Sequence, residues 1–491
     1  MDHNEALKEQ TTKKLLDKIS PSFCTVKWKH ATMNLGSGAV KSCCHLPFRK
    51  MDLSNAANGY EMHDTAEDRL ERAMMLQGEK PKDCSYCWWI EDQGHSSDRI
   101  SWSSKSWMAP FTQQIADVAT VEAKTPSWVE LNFSNTCNLK CSYCSPIFSS
   151  KWQQEIRELG PVPTDPPHND LNHLQGVELN EKFDNTEVMA TFWPWFEKCY
   201  PNIKLLKVTG GEPFLSSHTF KLLQLVLQKP NLQMNLSINS NLSVPNSVWQ
   251  QFMDLCVQIQ KTKCVEKFYL HPSIDTFGKR AEYIRFGLDF EVFKKNVEDY
   301  LERSGGNLVF ICTINNLSLA GLLDFWKYLL SLKKKYGPRG QWISVTSEVL
   351  IGPEWQNINI LPVHFQDYLS QTIAFVADHT GSTLETFSSY ERQGLTRALD
   401  LMKVPNQNLT SAKKNFFRFF SEHDRRRGTH LLSIFPEMNE FWKDCESLHQ
   451  TALVAKSGLA LRSAKCGVNL LSRTGRFLKF SKFLLGGKGR R

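Results

Sequence analysis

Three cysteines within eight residues constrain this chain more than any other feature. Cys137, Cys141 and Cys144 are spaced C-x3-C-x2-C. A closed structural zinc site takes four ligands, usually as two pairs. A [4Fe–4S] cluster held by three thiolates keeps one iron free of protein, and that iron can hold a small molecule. The run before the triplet, Trp128–Phe133, is β-rich and partly alternating. The triplet is therefore expected in a loop at the C-terminal end of a strand, where α/β folds place their chemistry.

Further β-like runs follow at 205–209, 232–239, 268–273, 308–313 and 342–350. Amphipathic stretches separate them, at 219–228, 248–260, 290–303 and 320–335, so the central region reads as parallel βαβ units. The second strand runs straight into Gly210-Gly211-Glu212-Pro213. Two glycines allow the backbone to approach a ligand closely, and a carboxylate can pair with an ammonium. The other strand ends carry Asn239 and Asn241, Ser273 and Asp275, Asn315 and Asn316, and Ser347-Glu348. A serine and an aspartate suit ribose hydroxyls. Between the first two strands, helices are expected at 149–159 and 186–199, with a proline-rich loop between them that serves as a lid or as a surface insertion.

The cysteine spacing, with Tyr143 in C-x3-C-x-aromatic-C, and the strand-borne Gly-Gly-Glu-Pro turn resemble the signature of the radical SAM superfamily. The resemblance covers the central half of the chain. It implies a partial (β/α)6 barrel over residues 121–350, with Cys137, Cys141 and Cys144 ligating a [4Fe–4S] cluster whose open iron chelates S-adenosylmethionine. It implies that Gly210, Gly211, Glu212 and Pro213 meet the SAM amino group and that Tyr143 lies against the adenine. Ser273 and Asp275 would contact the ribose, and Arg285 the methionine carboxylate; Asn239 is a further cofactor contact. One-electron cleavage of the sulfonium would then give a 5′-deoxyadenosyl radical that abstracts hydrogen from a substrate. An electron donor such as a flavodoxin or ferredoxin is implied as a partner.

Residues 1–120 hold a second cysteine set. Cys24 is followed by Gly38 and Cys43-Cys44, and then by the knuckle Cys84-Ser85-Tyr86-Cys87. Four thiolates from a hairpin and a knuckle can close a zinc ribbon or an iron–sulfur site. The C-x(n)-G-x4-C part resembles the opening of the SPASM and twitch auxiliary-cluster domains, although those usually follow the barrel. On that resemblance Cys24, Cys43, Cys84 and Cys87 ligate a second [4Fe–4S] cluster, with Cys44 as the alternative to Cys43, and the cluster relays electrons. Relatives with this domain act on peptides, which implies a peptide or protein substrate.

Residues 351–491 read as a helical extension ending in a basic tail. Arg425–Arg427 form a basic run, and from Thr451 onward there is no Asp or Glu but many Lys and Arg, interleaved with Phe477, Phe480 and Phe483. The tail is the one feature that favours a nucleotide or RNA substrate instead. A third reading, a non-catalytic zinc-binding interaction protein, uses both cysteine sets but leaves Gly210–Pro213 unexplained. Fourteen cysteines in 491 residues, with no apolar leader, fit a reducing, cytoplasmic compartment. No apolar run is long enough for a membrane span. Cys199, Cys256, Cys264 and Cys312 lack ligand-spaced neighbours and are expected to be buried as small hydrophobes.

Overall fold

The computed structural model describes residues 3–53, 62–92, 94, 96–118, 120–123, 125–173 and 186–452. The basic tail and its phenylalanines lie outside the described residues. The chain divides into two units, one of residues up to 162 with 167–405, the other of residues 163–166 with 406 onward.

Among the described residues, nine strands of the first unit form one sheet. They are β1 (His30–Asn34), β2 (Ala39–Lys41), β3 (Arg49–Lys50), β4 (Trp128–Asn132), β6 (Leu205–Thr209), β7 (Asn231–Ser240), β8 (Val265–Ile274), β10 (Asn307–Ile314) and β11 (Ile343–Val349). Two short segments, β5 (Lys140–Cys141) and β9 (Arg285–Phe286), pair separately. The large sheet has the order β11-β10-β8-β7-β6-β4-β1-β2-β3. From β11 to β1 all pairs are parallel, and β2 and β3 finish the edge as antiparallel strands.

From β4 to β11 the strands lie side by side in chain order. Helices cross between them, including Ser150–Leu159, Thr186–Cys199, Ser217–Gln228, Asn246–Thr262, Phe290–Ser304 and Leu322–Tyr336. Right-handed crossovers without a reversal of strand order put all these helices on one face. The residue pattern agrees. Val129, Leu131, Leu206, Val208, Leu236 and Leu270 are buried on one face. Their alternates, Glu130, Lys207, Thr209, Asn239, His271 and Thr313, are polar. A parallel sheet covered on both faces would be apolar on both. This sheet has one apolar face under these helices and one largely polar face, which Trp102 of the helix Asp98–Ser103 meets at Trp128, 4.3 Å between ring centroids.

His45, just beyond β2, bonds Asp98 at 2.7 Å. The charge of Asp98 acts on Glu348 at the end of β11.

The N-terminal segment is tied to this sheet through β1, which pairs with β4 over five residues. Beneath it lies a buried ionic network. Lys27, 1% exposed, bonds Asp68 and Glu71, and Arg49 bonds the same two carboxylates. Buried charges persist only when paired in this way. Around them pack Leu16, Phe23, Trp28, Met75 and Trp88. The polar segment 101–106 lies partly in the helix Asp98–Ser103. Its Arg99 is buried against Glu91 at 2.7 Å and Ile100 faces the core, which gives the polar sequence a reason to be helical.

The second unit packs Phe416, Phe419 and Phe420 of the helix Leu409–Arg427 with Phe441 and Cys445 of the helical stretch 439–452. Asn415 and Asp165 exchange two backbone–amide bonds, which joins 163–166 to that helix. Among the described residues no helix is long and apolar enough to cross a membrane.

Candidate functional site

A cleft of about 220 Å³ opens at the C-terminal ends of the parallel strands. Cys137, Cys141 and Cys144 line it together with Tyr143, Gly210, Gly211, Pro213, Asn239, Ser273 and Arg285. Of the residues expected at the strand ends, Glu212, Asp275, Asn315, Asn316, Ser347 and Glu348 are not among those that line it; Asn315 and Asn316 are buried in the turn after β10, bonded to Ser318 and Trp355.

The cysteine loop is held on all sides. Ser149 caps the helix Ser150–Leu159 by accepting from Trp152 N, and its hydroxyl donates to Leu139 O at 2.8 Å. Cys137 N donates to Ser150 Oγ, and Trp152 Nε1 donates to Cys141 O. The start of one helix therefore clamps both ends of the C-x3-C segment. β5 pairs antiparallel with β9, which sets Cys141 opposite Arg285. Asn138 reaches Ser243 O and accepts from Asn241 Nδ2, which fixes the loop to the end of β7. Ser142 and Gln356 exchange two bonds, and Asn169 Nδ2 donates to Cys144 O. Apart from Asn241 and Arg285, none of these clamping partners stood out in the sequence. Their one signal was local: Asn169 adopts φ 60, a conformation that asparagine tolerates.

Burial holds the three thiols protonated. It pushes Cys141 up to about 11 and Cys144 to about 12, and Cys137 higher still. Leu139 N–H points at Cys137 Sγ at 3.4 Å. Three thiols in one cleft are a soft donor set, and a metal binding there must displace their protons.

The glycines have a different neighbour from the one expected. A Cβ on Gly211 would collide with Thr136 O and the Asn135 backbone, and one on Gly210 with the Asn132 side chain. Gly210 also has φ +119. Gly211 N donates to Ser134 O and Glu212 N to Thr136 O. The glycines therefore let the turn after β6 lie against the approach to Cys137, while still facing the cleft.

Glu212 and Asp275 are set back from the cleft wall. Glu212, 2% exposed, accepts from Ser240 Oγ at 2.8 Å, Asn241 N at 2.8 Å and Phe214 N at 3.2 Å. Burial pushes its carboxyl up to about 7, against those three donors. In this arrangement Glu212 ties β6 to β7 and offers no free carboxylate for an ammonium. Asp275 is fully buried and holds Arg285 in a two-pronged bond, Nη2 at 2.9 Å and Nε at 3.1 Å. The Tyr143 hydroxyl donates to the same carboxylate at 2.9 Å. Asp275 thus orients Arg285 and Tyr143 and makes no direct ribose contact here. Arg285 lies in β9, not on a helix surface.

The second cysteine set also converges. Cys24, Cys43, Cys84 and Cys87 line one small enclosed cavity with Cys44, His45, Trp88 and Trp128. Cys24 comes before β1, Cys43 follows β2, and Cys84 and Cys87 flank the start of the helix Ser85–Asp92. Each of the other three thiols raises Cys24 electrostatically, after burial. A hydrogen bond from Cys44 pulls Cys43 down to about 6. Cys44 is exposed and lies with His45 and Asp98, their ligand atoms all within 4.8 Å of one another. Cys199, Cys256, Cys264 and Cys312 are buried, as expected.

The chain matches no protein-family model and no curated protein.

Proposed function

We propose that this chain is a radical SAM enzyme with an incomplete (β/α)6 barrel and an auxiliary iron–sulfur cluster. The observation that carries the reading is the convergence of Cys137, Cys141 and Cys144 with Gly210, Gly211, Ser273 and Arg285 on one cleft at the strand ends. In-order parallel strands and a cleft at their C-terminal ends support the barrel.

The residues fit the group. Three thiols supply its protein ligands, and an N–H already points at Cys137 Sγ. The Asn239 Oδ1 atom is buried in the cleft wall with no hydrogen-bond partner, and so is available to a bound molecule. When bound, the cluster supplies the electron that cleaves SAM to methionine and a 5′-deoxyadenosyl radical. The chain does the rest. Arg285, oriented by Asp275, offers a fixed cation for the methionine carboxylate. Ser273 and Asn239 offer polar contacts to the nucleoside, and the Tyr143 ring walls the cleft beside them. The helix clamp and the β5–β9 pairing hold the cysteine loop still, so little ordering is left to occur on binding.

Cys24, Cys43, Cys84 and Cys87 are the ligands we assign to the second cluster. A full set of four leaves no open iron, which favours electron relay. Anaerobic reconstitution tests both assignments. Wild type should take up iron and sulfide for two clusters, Cys84→Ala and Cys141→Ala for one each. SAM should perturb the electron paramagnetic resonance of reduced Cys84→Ala and leave that of Cys141→Ala unchanged. Zinc in the Cys84 site, with iron only in the other, would remove the relay.

A further inference from the structure

Cys24, Cys43, Cys84 and Cys87 make a complete set of four, which leaves over the fifth thiol of their cavity, Cys44. It is the exposed one of the five. Beside it lie His45, the next residue, and Asp98, brought by the fold from 53 residues beyond His45. All three line the cavity. The Cys44 sulfur, a ring nitrogen of His45 and a carboxylate oxygen of Asp98 all lie within 4.8 Å of one another.

Each donor is held from behind. Lys41 Nζ donates to Cys44 O at 2.7 Å, which fixes the turn after β2. Tyr86 stacks on the His45 ring, with centroids 3.9 Å and planes 23° apart. Asp98 opens the helix Asp98–Ser103, whose next residue, Arg99, is anchored on Glu91 at 2.7 Å. His45 Nε2 meets Asp98 Oδ2 at 2.7 Å. A carboxylate can only accept, so Nε2 carries the proton of that bond. A metal ion that takes the place of this proton is gripped by nitrogen and oxygen at once. Donor atoms of a tetrahedral zinc sit roughly 3.3–3.7 Å apart, given bonds of about 2.0–2.3 Å. The nitrogen–oxygen pair then opens by under about 1 Å, and the thiol closes by at most about 1.5 Å, a side-chain adjustment at an exposed residue.

We propose that Cys44, His45 and Asp98 bind one zinc ion, separate from whatever the other four thiols hold. A thiolate and a carboxylate bring two negative charges, which a divalent ion balances. Thiolate and imidazole suit zinc, whereas magnesium, calcium and manganese take oxygen donors. Three protein donors leave a tetrahedral zinc one position, open to water or to a donor atom of a bound molecule. The ion joins the turn after β2 to the helix at Asp98, two parts of the wall of the Cys24 cavity. The site stands on these three side chains and does not depend on radical chemistry in the cleft.

Zinc K-edge X-ray absorption reads the ion even beside bound iron. The full chain is reconstituted anaerobically with iron and sulfide, given zinc chloride and desalted. Wild type should keep one zinc per chain, with one sulfur at about 2.3 Å and nitrogen or oxygen at about 2.0–2.1 Å. Asp98→Asn, which keeps the shape and a hydrogen bond to His45, should weaken zinc binding by more than about a hundredfold, and so should Cys44→Ser. Losing a partner that merely orients a ligand already costs about 10–100-fold. Iron content should not change in either variant. Where the four-cysteine site also takes zinc, wild type should hold two ions and Asp98→Asn one. No zinc on the iron-loaded wild type, zinc surrounded by sulfur alone, or zinc that survives Asp98→Asn would overturn the proposal. Iron lost from Cys44→Ser would do so too, by giving Cys44 to the cluster. The radical reading fails or stands separately, on deoxyadenosine and not on zinc.

Discussion

Asp275 and Glu212 show how carboxylates near a site divide labour. Asp275 is buried and bonded by both Arg285 and Tyr143. Removing one partner of such a pair strands the other. Asp275→Ala should therefore destabilise the chain by about 3–5 kcal/mol in denaturant unfolding. It should also weaken SAM binding, because Arg285 loses its orientation. Arg285→Lys should keep the charge but lose the two-pronged grip and bind SAM more weakly than wild type. Glu212 behaves oppositely. Its folded-state carboxyl sits near 7 against an ordinary 4.5. In the metal-free chain, folded Glu212 keeps a proton between these values that the unfolded chain has released. Stability should thus fall as pH rises through that window, by about 3 kcal/mol, and level off above it. Glu212→Gln should flatten that slope in urea titrations at pH 5 and pH 7.5; an unchanged slope would locate the titration elsewhere. The raised carboxyl could not be read from the sequence, since it depends on burial between β6 and β7.

The elements that carry the site were legible to different degrees. β4, β6, β7, β8, β10 and β11 follow from apolar residues at period two, bounded by turn residues, and the structure places them within a few residues of that reading. β1 was not legible. His30-Ala31-Thr32-Met33-Asn34 has little apolar content and sits among metal-spaced cysteines, yet it adds a parallel strand beside β4. Its burial comes from the sheet it joins, which periodicity within five residues cannot report. The position of Arg285 was equally hidden, because the β5–β9 ladder that sets it opposite Cys141 is two residues long. The Gly210–Gly211 turn was found by motif, but its tightest constraint is the loop at 132–136. Gly211→Ala should therefore push the cysteine loop out of place. We expect a loss of about 1–3 kcal/mol in stability and reduced iron uptake at the Cys137 site, with the Cys84 site loading normally. Normal loading at both sites would show that the turn and the loop are not coupled.

At the scale of the molecule, one sheet serves both cysteine sets. β4 leads from Trp128, which lines the Cys24 cavity, to the loop that carries Cys137. The N-terminal cysteines are thus built onto the same sheet as the cleft, although they precede it in the chain. The second unit changes the reading of the basic run. Arg425 and Arg426 both bond Glu422, which is pulled down to about 2 by these partners. That pairing reduces what the run offers a phosphate, and the case for nucleic acid then falls on residues beyond 452. Removing residues 453–491 should leave iron content and SAM cleavage unchanged, measured on the purified truncated chain.

The measurement closest to the central claim is anaerobic. Wild type and Cys141→Ala are reconstituted with iron and sulfide, reduced, given SAM and assayed for 5′-deoxyadenosine. The account predicts deoxyadenosine from wild type and none from Cys141→Ala, whose Cys84 site still holds iron. Deoxyadenosine at equal levels from both, or none from an iron-loaded wild type under any reductant, would contradict it.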